Sequence, residues 1–231
     1  MIMKFTNTLI KGKLIKRYKR FFTDLKLNNQ SVTAHCPNTG SMMGLLEKDN
    51  DVWVSKNDDP SRKLKFTLEM IKVNKRLVGV NTHRANRIVE HALKNKLIAE
   101  FKDVNTIKRE FKYSENTRFD FLCDKKIIEV KNVTLTKKNK IAEFPDAVTS
   151  RGLKHLIQLI NSIKKGFKPY VLFLTQIQGI EYFKIAKDID NKYYENYLKA
   201  KKAGVIFLAY RCYLSSKEIK IEKKIKIING K

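Results

Sequence analysis

Two carboxylates and a lysine stand closest to chemistry in this chain: Asp120, Glu129 and Lys131, in the stretch Arg118–Lys131. The stretch alternates with period two, which predicts strands. Asp124-Lys125 predicts a tight hairpin turn between them. A two-residue turn pairs Cys123 with Lys126 and Leu122 with Ile127, and sets Asp120 opposite Glu129 and Arg118 opposite Lys131. Facing residues in such a pair have Cβ atoms about 4.5–5.5 Å apart, and like charges there are unfavourable without a compensating cation. Glu129 and Lys131 are i and i+2 and share a face. One face thus gathers Asp120, Glu129 and Lys131, and Phe119, Phe121, Ile128 and Val130 take the other. Paired carboxylates are hard oxygen donors that suit Mg²⁺ or Mn²⁺, with water and substrate phosphate completing the shell. A neighbouring lysine can hold a water or an oxyanion, as metal-assisted phosphodiester cleavage requires. The same residues also read as a solvated hairpin face whose acids pair with Arg118 and Lys131.

Asp120 followed by Glu129-Val130-Lys131 resembles the PD-(D/E)xK nuclease signature, which is short. Longer strings resemble the sugar fermentation stimulation protein family (SfsA): Arg17-Tyr-Lys-Arg-Phe21, His35-Cys-Pro-Asn-Thr-Gly-Ser-Met42, Arg118-Phe-Asp-Phe121, Glu129-Val-Lys-Asn-Val133, Phe144-Pro-Asp-Ala-Val-Thr149 and Arg151-Gly-Leu-Lys-His-Leu156. They run in the family's order over most of the chain. The resemblance implies a mixed α/β protein: an N-terminal OB-like β-barrel followed by a PD-(D/E)xK restriction-endonuclease-like α/β domain. It implies DNA binding, largely without sequence preference, and a regulatory link to sugar (maltose) metabolism. Cleavage of DNA by a metal-dependent endonuclease remains the alternative.

The elements that must position these residues are legible in outline. With 231 residues the chain suffices for one large domain or two small ones. We expect a barrel over residues 1–80 and the nuclease-like domain over 81–231. Strands are expected over 14–27, 31–36, 52–54, 63–73 and 77–80, a pattern of short strands and regular turns that suits a small barrel. Arg17, Lys19 and Arg20 alternate with Tyr18, Phe21 and Phe22, a mixture that OB barrels use to hold single strands. It is also what alternation in any barrel strand produces. Asn38-Thr-Gly-Ser41 is either a phosphate contact or an ordinary turn.

A helix is expected over 84–95 with Thr82 as its cap, then a strand over 107–113, the hairpin, and a loop containing Phe144-Pro-Asp146. A second helix, over 150–165, carries Leu153, Leu156, Ile157, Ile160 and Ile163 on its apolar face and Arg151, Lys154, His155 and Gln158 on another. Its N-terminus favours phosphate. Strands over 169–177 and 180–185, a helix from Asp190 to Ala203, a strand over 205–210 and a lysine-rich edge strand over 219–228 complete the chain. In this reading Arg17, Lys19, Arg20, Arg118, Arg151, Lys154 and His155 contact DNA, with Gln158 and Asp146 as support behind them.

A formal net charge of +26 favours polyanionic partners. Lysine far exceeds arginine, as an AT-rich genome would favour, which accounts for part of the excess and not its sign. No apolar run approaches the ~20 residues of a membrane span, and Met1–Ile10 is too short and polar for a signal peptide. These features predict a cytoplasmic protein, near the nucleoid if it binds DNA, with no membrane partner. Cys36, Cys123 and Cys212 are widely spaced, which predicts reduced thiols and no disulfide-linked partner. The oligomeric state is not encoded in any pattern here.

Overall fold

The computed structural model describes residues 5, 7–138 and 140–229. Half of the Met1–Ile10 segment, read above as too polar for a leader, lies outside them. Six strands come first: β1 (Ile10–Tyr18), β2 (Phe22–Leu27), β3 (Gln30–His35), β4 (Asp51–Lys56), β5 (Phe66–Val73) and β6 (Arg76–Gly79). The expected strand over 14–27 is a hairpin, because Lys19 and Arg20 take left-handed φ of 46° and 61° and turn the chain. Asn28 and Asn29 do the same at the next turn, as two-residue hairpins require. β1 to β5 form a closed five-stranded barrel: β1 pairs with β2 and β4, β2 with β3, β4 with β5, and β3 with β5 closes the ring. Alternation is clear in β2, whose Thr23, Leu25 and Leu27 are buried. β5 is buried almost continuously, since both of its faces are covered.

The helix α1 (His83–Lys94) follows. Thr82 occupies the position before it but is no cap: its hydroxyl donates to the Pro37 carbonyl, and Asn81 Oδ1 takes the His83 N–H instead. Three antiparallel strands come next, β7 (Ile107–Ser114), β8 (Thr117–Cys123) and β9 (Lys126–Val133). The segment 134–144, expected as loop, is a pair of short strands, β10 (Leu135–Lys138) and β11 (Ile141–Phe144). Then come α2 (Ser150–Ile163), β12 (Lys168–Thr175), β13 (Tyr182–Ile185), α3 (Asn191–Ala203), β14 (Ile206–Leu214), β15 (Ile219–Lys224) and β16 (Lys226–Ile227).

The large sheet has the order β15-β14-β12-β9-β8-β7, with β12 parallel to both β9 and β14. A smaller sheet runs β10-β11-β13-β16. The expected single edge strand at 219–228 is therefore split, β15 ending the large sheet and β16 the small one. The caps of α2 and α3 follow the sequence rules. Thr149 Oγ1 accepts from Gly152 N at 3.0 Å and Asp190 Oδ1 from Tyr193 N at 2.9 Å. Gly204, at φ 108°, ends α3 in a conformation other residues adopt at a cost.

Burial on the two faces of the large sheet differs. Phe121, Cys123, Ile128, Val130 and Leu172 pack with α1. Phe119, Ile127, Val133, Val171 and Phe173 pack with α2 and α3, and that cluster continues into the barrel through Leu14, Leu25, Met42 and Val54. Along α2, Ile157 is exposed and Leu159 is buried, so the apolar face is rotated from the one read above. All three cysteines are free and buried. Among the described residues, no helix is long and apolar enough to cross a membrane.

A candidate metal and phosphate site

The hairpin turns at Asp124-Lys125 and pairs Cys123 with Lys126, Leu122 with Ile127 and Phe121 with Ile128, the expected register. The ladder stops there. Asp120 and Glu129 are not a hydrogen-bonded rung, nor are Arg118 and Lys131. Instead the Asp120 carboxylate enters the gap between the parting strands: its Oδ2 accepts from Val130 N at 2.7 Å and its Oδ1 from Asn86 Nδ2 of α1 at 2.7 Å. The β7–β8 register sets Glu110 against this point, and Glu110 has a left-handed φ of 50°. β8 also departs from simple alternation. Phe119 and Phe121 lie two apart in β8 yet belong to opposite sides of the sheet, Phe119 packing edge-on to His155 at 5.9 Å.

Glu129 is buried, at 4% exposure. Its Oε1 accepts from Lys131 Nζ at 2.7 Å and faces His155 Nδ1 at 2.5 Å. Its Oε2 is buried and has no hydrogen-bond partner among the described residues. Burial and then the neighbouring Glu129 push Asp120 up to about 7. Burial also opposes the charge on Glu129, but Lys131 and His155 hold its carboxyl below the usual glutamate range. Two adjacent carboxylates thus have opposite protonation tendencies near neutrality, a pattern common at reacting sites.

Four of the residues expected to hold phosphate come together in one cavity, joined to this pair through His155. Arg118, Arg151, Lys154 and His155 line one cavity of about 390 Å³ beside the β7–β8 turn. Arg151 and Lys154 are exposed and make no hydrogen bond or ion pair among the described residues. Arg118 has one long contact, 3.9 Å, to Glu110. Gln158, half-buried on α2, lies outside that lining.

The barrel residues are placed elsewhere. Arg17 and Arg20 line a separate cavity together with Asp146. Arg17 is already engaged: its guanidinium donates to the carbonyls of Asn38, Gly40 and Arg20 at 2.6, 3.1 and 3.1 Å. Asp146 binds the barrel, its Oδ2 accepting from Met42 N and Ser41 Oγ, both at 3.2 Å. A Cβ on Gly40 would stand 2.6 Å from Asp146 Oδ2, so the Asp146 carboxylate would have to shift to admit one. Tyr18 is exposed and stacks on Phe22 at 5.5 Å.

Asn86, which binds Asp120, was invisible to spacing arguments, because no local pattern ties it to a strand 34 residues on. Tyr193 was also missed; its buried hydroxyl has no partner and is pushed upward by burial and by Glu129.

Among the described residues no three His, Cys, Asp or Glu side chains cluster as a metal cage. The donor set present is two carboxylates, one with a bare oxygen, on neighbouring strands. That set fits a hard divalent cation which takes its remaining ligands from water and phosphate.

A closed OB barrel leading into a sheet-and-helix unit, with a buried carboxylate pair at the splayed end of a hairpin, defines a two-part protein of the OB-plus-RE class. The chain belongs to the sugar fermentation stimulation protein family. The family's "SfsA N-terminal OB domain" matches residues 15–80 and its "Sugar fermentation stimulation protein RE domain" residues 83–218. A sugar fermentation stimulation protein homolog of Pelagibacter ubique is 65% identical, with 99% of this chain and 100% of that protein covered. A homolog from Maricaulis maris is 40% identical, over 97% and 98%. The fold is similar to that of Pyrococcus furiosus SfsA, described in complex with Ca²⁺, with a TM-score of 0.89, 22% identity and 98% of each chain covered.

Proposed function

We propose that this protein binds DNA through its phosphates, largely without sequence preference, and holds a divalent cation, Mg²⁺ or Mn²⁺, at Asp120 and Glu129. The observation that carries this reading is the bare, buried Oε2 of Glu129 beside Asp120, next to the exposed cations Arg118, Arg151 and Lys154. A lone buried carboxylate oxygen is costly, and a divalent cation held at the pair would remove that cost. The net charge of +26 and the Ca²⁺ in the Pyrococcus furiosus relative support the same reading. The family's name ties it to sugar fermentation, and regulation by occupancy of DNA in the cytoplasm, at the nucleoid, is consistent with the charge.

A second reading, endonuclease action, is favoured by one contact, Lys131 Nζ held 2.7 Å from Glu129 Oε1. When bound, the cation supplies Lewis-acid activation of the phosphate ester. Asp120 and Glu129 hold it, His155 fixes the orientation of Glu129, and Lys131 orients the attacking water or stabilises charge developing on the phosphoryl oxygens. Arg118, Arg151 and Lys154 hold the flanking phosphates.

The test is Mn²⁺ titration with nicked and linear plasmid, running wild type beside Asp120→Ala and Lys131→Ala. Cleavage lost in both variants establishes the nuclease. No cleavage, with salt-sensitive binding that tightens in Asp120→Ala without metal, leaves a DNA-binding protein. Failure of the wild type to bind DNA overturns both.

A further inference from the structure

Two sequence strings unused by that site meet 105 residues apart. The Asn38–Ser41 loop of the barrel and the Phe144–Thr149 segment are clasped through Ser41 and Asp146. Between them lies a cavity of about 580 Å³, within the roughly 300–1,000 Å³ of small-ligand pockets. Its position ties it to the carboxylate site. Asn132 in its wall follows Lys131 in β9, and Thr149 caps the helix that carries Arg151, Lys154 and His155.

The wall is polar and built. Asn38, Thr134 and Glu143 are buried, at 4%, 6% and 1% exposure, and neither carboxylate oxygen of Glu143 has a hydrogen bond. Lys137 and Lys184 lie 3.4 and 3.7 Å from one of those oxygens. Asn132 Oδ1 is held by Gln176 Nε2 at 2.6 Å, which leaves its amide N–H₂ to donate elsewhere. At the rim stand Arg20 and Val148, the latter 76% exposed.

We propose that this cavity is a nucleoside subsite, which takes one unpaired base and its sugar next to a phosphate held by Arg118, Arg151 and Lys154. The inference rests on the DNA-binding reading above and names its substrate class: strands with an unpaired nucleotide, such as single strands and overhangs. The amide donors of Asn38 and Asn132 and the buried Glu143 carboxylate match the Watson–Crick edge of a base, which is open to such contacts only outside a duplex. A pocket walled by two loops of one chain admits a nucleoside and excludes a double helix. Arg20 at the rim meets the next phosphate, and Val148 borders the entry.

The test compares a 12-nucleotide single strand with the duplex of the same sequence, in fluorescence anisotropy with wild type, Thr39→Trp and Val148→Trp. Thr39 and Val148 are exposed on opposite walls, so each change narrows the cavity without altering charge or core. The subsite predicts that wild type prefers the single strand and that both variants weaken it about tenfold, the scale of one lost base contact. Duplex affinity stays within about twofold, because phosphate contacts set it. Equal affinity of wild type for both DNA forms, or variants that leave the single strand unaffected or weaken both forms alike, overturns the subsite while leaving phosphate-based binding in place. No binding of either form overturns the parent reading.

Discussion

Asp120 carries the strongest pH signature at the scale of single residues. Its folded pKa of about 7 stands above the value near 4 of an unfolded aspartate. The proton it keeps stabilises the fold fully below about pH 4, and that stabilisation is lost as pH rises through 7. In EDTA, the stability of the wild type relative to Asp120→Ala is therefore expected to be lower at pH 8 than at pH 5, read from thermal unfolding of both proteins. Divalent metal should act in the opposite sense, since it needs the ionised carboxylate. At one hundred times its dissociation constant, Mg²⁺ or Mn²⁺ adds about 2.7 kcal/mol, or roughly 5–10 °C in Tm for a chain of this size. The gain is expected at pH 8, smaller at pH 5, and absent in Asp120→Ala. A Tm indifferent to metal at both pH values would remove the cation from the site.

Asp190 shows how elements are tied at the back of the site. One carboxylate oxygen caps α3 at Tyr193 N, and the other accepts from Thr149 N at 2.9 Å, just before α2. Asp190→Ala is expected to cost about 2 kcal/mol in urea unfolding, against about 1 kcal/mol for Thr149→Ala, which loses one cap. Equal costs would mean that the link between the helices adds nothing.

Both caps bear on what was legible in the sequence. Asp190 and Gly204 bounded α3 correctly because capping is local chemistry. The first three rungs of the hairpin were legible for the same reason: a two-residue turn fixes the pairing next to it, although the ladder parts before Asp120 and Glu129. Legibility ended where structure became non-local. Phe119 and Phe121 belong to different packing clusters despite their i, i+2 spacing, which no periodicity within β8 signals. β10 and β11 have four residues each, and β11 finds its parallel partner about 40 residues later, at β13, so neither had a periodicity to detect. Thr82 has the right type for a cap, but the Pro37 carbonyl takes its hydroxyl. At the site, Asp120, Glu129 and Lys131 were visible from spacing. The engagement of Arg17 was not, since two of its three acceptors, the Asn38 and Gly40 carbonyls, come from a loop more than 20 residues away.

Charge sets the expectation for the whole molecule. If about five cations meet phosphates, log affinity should fall against log salt with a slope of about −4.5. Arg151→Ala should reduce that slope by about one while leaving sequence preference unchanged, as measured on two unrelated duplexes. A slope near zero would mean that the +26 is solvated surface and not a DNA-binding face.

The core that runs from Leu14 and Leu25 of the barrel through Met42 to Phe173 and Phe183 also joins the two halves physically. Gly79 N donates to the Gln176 carbonyl and Gln178 N to that of Leu77, a seam of main-chain bonds across the junction. The halves are consequently not interchangeable cassettes. Severed near Val80, each would carry an apolar scar where the other had been, and such a fragment is a client for chaperones and proteases before it is a working barrel or sheet.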